Sequence, residues 1–312
     1  MRRFCLGRVL CGIALAIFFW AAVVECAASD LERHVRSEVV GKTFVLRGFY
    51  EGRSLRFGAT GVPPEGTVVG DWTVSGIVQV IGAQVSKNRL TIRARRLHLG
   101  WLNGSFQDLH DYVGTGKVDK DENKERALLV ELDLGGATIQ TADDALARIF
   151  LTSQDSFADL VPSYWKPCVL AGVNAASGKE HLSCRFSAEF LAIPGVAHAS
   201  DSYAENAQPA GSGAPQPVNV IGKGMTPPKV LSQTDPEFSD AARRARYQGT
   251  IVLKLVVDSS GSPKNLRVWM PLGCGLDAQA VRSVEGWKFR PGMKDGQPVA
   301  VELSVEVDFH LY

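Results

Sequence analysis

No apolar run in the chain reaches the roughly 20 residues that a membrane-crossing helix needs. The longest is Val9–Val24, sixteen residues. Net charge is almost absent, with 34 Lys+Arg against 33 Asp+Glu, so charge gives no reason to expect a nucleic-acid partner. Cysteine is scarce: of six, Cys5, Cys11 and Cys26 sit near the N-terminus, leaving Cys168, Cys184 and Cys274. Catalytic signatures are missing as well. The histidines at 34, 98, 110, 181, 198 and 310 form no H-E-x-x-H, and no G-x-S-x-G occurs. Gly114-Thr115-Gly116 lacks the third glycine and the following helix of a phosphate cradle. Asp119–Asn123 begins like a calcium loop, but Lys124 stands where glycine is needed and Val130 where glutamate is needed. These absences leave no basis for an active site, a cofactor or a metal site, and the chain is read as non-enzymatic.

What is present begins with a leader. Arg2, Arg3 and Arg8 precede the apolar run, and Cys26, Ala27 and Ala28 supply small residues after it. This is the layout of a secretory signal peptide over residues 1–28, which predicts export to the periplasm. Phe4, Leu6 and helix tilt lengthen the apolar stretch, so an uncleaved inner-membrane anchor is the alternative. Export favours a Cys168–Cys184 disulfide; free buried thiols, or a metal site with His181, are the other readings of that pair.

Composition divides the rest. Residues 30–195 are rich in short β-branched and aromatic runs, such as Lys42–Tyr50, Gly76–Gly82, Asn88–Trp101 and Arg126–Leu134, separated by Gly, Pro, Asp and Asn clusters. That pattern predicts a small barrel or sandwich. At its end, Ala145, Leu146, Ile149 and Phe150 recur at helical spacing. Residues 196–227, with His198–Pro217 dominated by Ala, Gly, Ser, Pro and Asn, predict a flexible linker. Residues 228–312 give a helix capped by Asp235, a hairpin through Asp258–Pro263, a second helix from Leu276, and a last strand. The expected class is α+β, with two helices on one face of a three-stranded antiparallel sheet. In the last strand Val301, Leu303, Val305, Val307 and Phe309 alternate with Glu302, Ser304, Glu306 and Asp308, the period-two signature of a half-buried strand.

This C-terminal segment resembles the C-terminal domain of the TonB family. The likeness is carried by "DPEFSDAARRARYQGTIVLKLVVDSSGSPKNLRVW" and "GLDAQAVRSVEGWKFRPGMKDGQPVAVELSVEVDFHL". Residues 40 to about 135 are also similar, less specifically, to the N-terminal region of some TonB-like proteins, on Gly41–Tyr50. The resemblance implies docking on an outer-membrane TonB-dependent transporter by pairing the last strand with a transporter peptide, the TonB box. Val301 to Phe309 would then form the docking edge, where proline at Val305 is expected to remove a partner-facing donor. Pairing with a second copy through the same strand, giving a homodimer, is the competing use of that edge. A membrane-anchored energy transducer working with inner-membrane motor proteins is a rival reading. An envelope structural protein is the third, its cell-wall polymer met by the first domain, where Arg89, Arg93 and Arg95 line one strand face.

Overall fold

A computed structural model describes residues 29–86, 88–109, 124–136, 138–174, 184–197, 218–222 and 224–311. The expected leader and the centre of the expected linker lie outside them, as does His181. Residues 29–39 form helix α1. Its Leu31, Val35 and Val39 recur every four residues, which places all three on one buried stripe. Then come β1 (Thr43–Val45), β2 (Ser54–Phe57), β3 (Ile77–Ser86), β4 (Arg89–Arg96), the small hairpin of β5 (Leu99–Leu102) and β6 (Ser105–Asp108), and β7 (Ala127–Asp133). Strands β1, β3, β4, β7 and β2 lie in that order in one sheet, antiparallel except for the parallel β2–β7 pair.

One face of this sheet is apolar. Val78, Val80, Leu90, Ile92, Leu128 and Val130 are buried there, in one cluster with the α1 stripe and with Ala142, Ala145, Leu146 and Ile149 of helix α2 (Ile139–Ile149). The Thr138 hydroxyl caps α2 by accepting from the Thr141 N–H. The opposite face carries exposed Arg56, Arg89 and Arg93. The expected barrel or sandwich is therefore, among the described residues, an open sheet with helices on one side. The amphipathic stripe of α1 does the covering that a second sheet or closure would otherwise do.

A second core starts at Trp72, which is fully buried. Its ring sits 5.1 to 6.0 Å from those of Phe106, Phe157, Trp165 and Phe190, mostly edge to face. Helix α3 (Phe157–Leu160) supplies Phe157 and α5 (Ala188–Leu191) supplies Phe190, while Trp165 immediately precedes α4 (Lys166–Asn174). Cys168 on α4 and Cys184 are joined by a disulfide with Cα atoms 5.3 Å apart, and both are buried in this core.

The C-terminal part contains β8 (Met225–Thr226), β9 (Lys229–Ser232), helix α6 (Asp240–Arg244), β10 (Gly249–Val257), β11 (Pro263–Met270), helix α7 (Leu276–Glu285), β12 (Lys288–Arg290), β13 (Gly292–Lys294), β14 (Gln297–Val299) and β15 (Val301–Phe309). Strands β11, β10 and β15 make a three-stranded sheet; β12–β9 and β14-β13-β8 are smaller ladders. The first helix starts later than expected. Ser239, not Asp235, is the cap, its hydroxyl accepting from the Ala242 N–H at 3.0 Å. Residues 233–239, which include Pro236, have no regular structure.

The inner faces of β10 and β15, with Leu276, Ala280, Val281 and Val284 of α7, belong to the same apolar cluster as Trp72. A backbone seam reinforces that continuity. Gly100 and Gly273 form an antiparallel bridge, the Trp101 N–H donates to the Leu272 carbonyl at 2.7 Å, and the Cys274 N–H donates to Leu99 at 2.6 Å. The Gly275 N–H reaches the Thr73 hydroxyl at 2.8 Å. Fully buried Asp277 holds the loop's shape by accepting from the N–H groups of Leu272 and Gly273 at 3.0 and 2.6 Å. Burial pushes its carboxyl up to about 7, against the lowering pull of those donors.

Gly273 is required twice over. Its φ of +85° disfavours any side chain, and a methyl group there would run into the Leu99 carbonyl. We expect Gly273→Ala to lower unfolding free energy by about 2 kcal/mol or more. Gly136→Ala, with φ +84° but open space around it, should lose only the backbone strain, about 1 kcal/mol. Equal losses in urea titrations would show that the seam contributes nothing. Replacing Cys168 and Cys184 by serine opens a loop of sequence separation 16 and should remove about 3 kcal/mol. Calorimetry of the oxidised parent against the double variant measures it.

Candidate functional site

The period-two pattern of the last strand translates directly into burial. Val301, Val305, Val307 and Phe309 are buried and Leu303 is half-buried, whereas Ser304, Glu306 and Asp308 are exposed. Phe309 stacks edge-on against Phe238 at 5.3 Å, which closes the inner face at the strand's end. β10 and β15 pair over nine consecutive residues, from Gly249–Phe309 to Val257–Val301, with no register shift. On its other side β15 has no strand neighbour among the described residues except one short contact.

That contact reveals which way the backbone points. Asn219 bridges Val301 in parallel fashion. Its N–H donates to the Ala300 carbonyl at 3.0 Å, and the Glu302 N–H donates to the Asn219 carbonyl at 3.1 Å. The Asn219 side chain adds a bond to Ala300 at 3.2 Å. The Glu302 N–H therefore faces away from β10. Backbone groups alternate sides along a strand, so those of Ser304, Glu306 and Asp308 also face outward, and those of Leu303, Val305 and Val307 face β10. The nine residues expected at the edge divide accordingly. Only the even-numbered ones offer outward hydrogen bonds. The expectation that proline at Val305 removes a partner-facing donor is thus corrected: that N–H belongs to the ladder with β10, and its side chain is buried.

The outer face of this sheet is charged in bands. Arg267 on β11 pairs with Glu302 at 2.7 Å, and the Thr250 hydroxyl donates to Asp308. The Lys254 ammonium lies 3.2 Å from the centre of the half-buried Trp269 ring, a cation–π contact. Glu306 has no ion-pair partner among the described residues. Trp287 and Phe289 are core residues, and the Trp287 indole N–H donates to the Thr234 carbonyl at 3.1 Å. On the N-terminal sheet, Arg89 pairs with Glu131 at 3.3 Å and Arg95 donates to Gln79 at 3.2 Å. Asn219 is the site residue that sequence reasoning missed, because it fell within the expected linker. Apolar Val218, Val220 and Ile221 in an otherwise polar stretch were the available signal.

The C-terminal α+β segment thus ends in a strand with an open, polar-flanked edge, and the comparisons point to the same segment. Residues 234–311 match the family model described as Gram-negative bacterial TonB protein C-terminal. Protein TonB of Vibrio cholerae serotype O1 is 29% identical over 86 residues, 27% of this chain and 35% of that protein. Protein tonB2 of Pseudomonas aeruginosa is 34% identical over 82 residues, covering 26% and 30%. Protein TonB of Xanthomonas campestris pv. campestris is 33% identical over 95 residues, covering 30% and 39%. The chain thus spans about a third of the length of the curated relatives it matches. The solution NMR structure of the Pseudomonas aeruginosa TonB CTD aligns with 30% of this chain and 93% of its own, at 18% identity and a TM-score of 0.24. No helix among the described residues is long and apolar enough to cross a membrane.

The backbone polarity predicts opposite responses at adjacent residues. Val305→Pro removes a ladder bond and a buried side chain and should cost about 2 kcal/mol or more. Glu306→Pro places the ring on the open side and should stay within about 1 kcal/mol of the parent. Reversed losses in chemical denaturation would mean that the strand faces the other way.

Proposed function

We propose that this is an exported, periplasmic binding protein whose C-terminal segment docks on an outer-membrane TonB-dependent transporter. An extended transporter peptide, the TonB box, adds as a strand to β15. The observation that carries this reading is the run of outward backbone groups at Ser304, Glu306 and Asp308 on a strand with a free edge. Each added residue pair gives main-chain hydrogen bonds, and alternate side-chain sites give selectivity. Asn219 supports it, since the start of the same edge already takes up backbone in a one-residue parallel bridge. The likeness of residues 234–311 to the TonB C-terminal family supports the choice of partner. The buried Cys168–Cys184 disulfide suits an oxidising compartment such as the periplasm.

The test is fluorescence polarisation of TonB-box peptides with the full-length chain. Glu306→Pro should abolish binding while circular dichroism stays that of the parent. Retained binding in a folded Glu306→Pro protein would rule out the edge as the docking surface.

A further inference from the structure

We infer that the strand taken up by β15 carries basic side chains at alternate positions, two of which face Glu306 and Asp308. This rests on the docking reading and adds the partner's charge to it. The register places the charges. Across the outer face of the sheet, Lys264 and Glu302 lie on either side of Val256, and Arg267 and Ser304 on either side of Lys254. In the next row Met270 and Glu306 flank Val252, and Thr250 stands beside Asp308. The basic side chains therefore lie on the central strand β10 and the far strand β11, and the acidic ones on β15.

Two of these three cations are already engaged, and exposed Lys264 lies in the Glu302 row, away from Glu306. Arg267 holds Glu302, and Lys254 sits over Trp269. Glu306 has only Val252 and exposed Met270 in its row, so no cation faces it from within the sheet. A basic side chain on an added strand would be the first cation directly opposite it.

Geometry limits what that strand can be. Asn219 occupies the Glu302 N–H, so the free edge runs from Leu303 to Phe309. Residues opposite Ser304, Glu306 and Asp308 point to the acidic outer face. Those between them point inward, beside Val305, Val307 and Phe309. The fitting partner alternates apolar and basic residues. A second copy of this chain fits poorly. Antiparallel self-pairing centred on Glu306 opposes it to itself, and centring on Val307 opposes Glu306 to Asp308 twice. Like charges directly opposite destabilise a strand pair.

Three end-capped fluorescent heptapeptides, VKVKVKV, VTVTVTV and VEVEVEV, would be titrated into the full-length chain at low and high salt. Their alternation reads the same in either strand direction. We expect the lysine peptide to bind about three- to tenfold tighter than the threonine peptide, the glutamate peptide to bind weakest, and the spread to shrink at high salt. The Glu306→Lys/Asp308→Lys double variant should reverse the order. Equal affinities in the parent, or no reversal in the variant, would overturn the charge assignment and leave strand docking standing. Lysine-peptide binding that survives Glu306→Pro would place the contact elsewhere and overturn the assignment too. Failure of all three peptides and of TonB-box peptides would remove the docking reading and this inference together.

Discussion

Nine consecutive residue pairs run between β10 and β15 without a register shift. A slip of one residue in a strand with one buried face would turn Val305, Val307 and Phe309 to solvent and Glu306 and Asp308 into the core. The ladder therefore decides three things at once. It fixes which side chains meet α7 and Phe238, which carboxylates stand on the outer face, and which backbone groups remain at the edge. The proposed docking chemistry depends on all three.

That ladder is anchored to the rest of the chain at Gly100 and Gly273. Two glycine backbones can approach there because neither carries a side chain, and the buried Asp277 carboxylate holds the loop in position. The apolar cluster continues across the seam from Trp72 to Phe309, so the C-terminal sheet shares its interior with the aromatic core of α3, α4 and α5. Rigid placement of an edge strand is what strand pairing needs, since an added peptide gains only what is not spent on ordering its acceptor.

Local pattern carried much of this into the sequence. The alternation of Val301–Phe309 and the turn at Asp258–Pro263 were readable because period and turn chemistry are properties of neighbouring residues. Expected export favours the pairing of Cys168 with Cys184 over free thiols or a metal site, and the bond between them decides it. What could not be read depends on distant contacts. Gly100 meets Gly273 across the chain, and no local signal marks either one. The outward direction of the Glu306 N–H was hidden for the same reason, because only the bond between Glu302 and Asn219 reveals it. The N-terminal strands suggest a barrel or sandwich because the pattern of strands does not show that the stripe of Leu31, Val35 and Val39, next to the expected leader, covers an open sheet. The Asp235 cap was misplaced because two capping residues compete within five positions, and Ser239 is the one whose hydroxyl reaches a helix N–H.

The bridge that ties Asn219 to Ala300 and Glu302 also has a mechanical side. The chain leading into the C-terminal sheet is fastened to the first residue of the strand that carries the open edge. A partner strand along Ser304–Asp308 would lie end to end with that fastening, on the same line. Tension between the two would run along β15 and load its hydrogen bonds side by side in shear, where they share the force. It would not peel them open one after another.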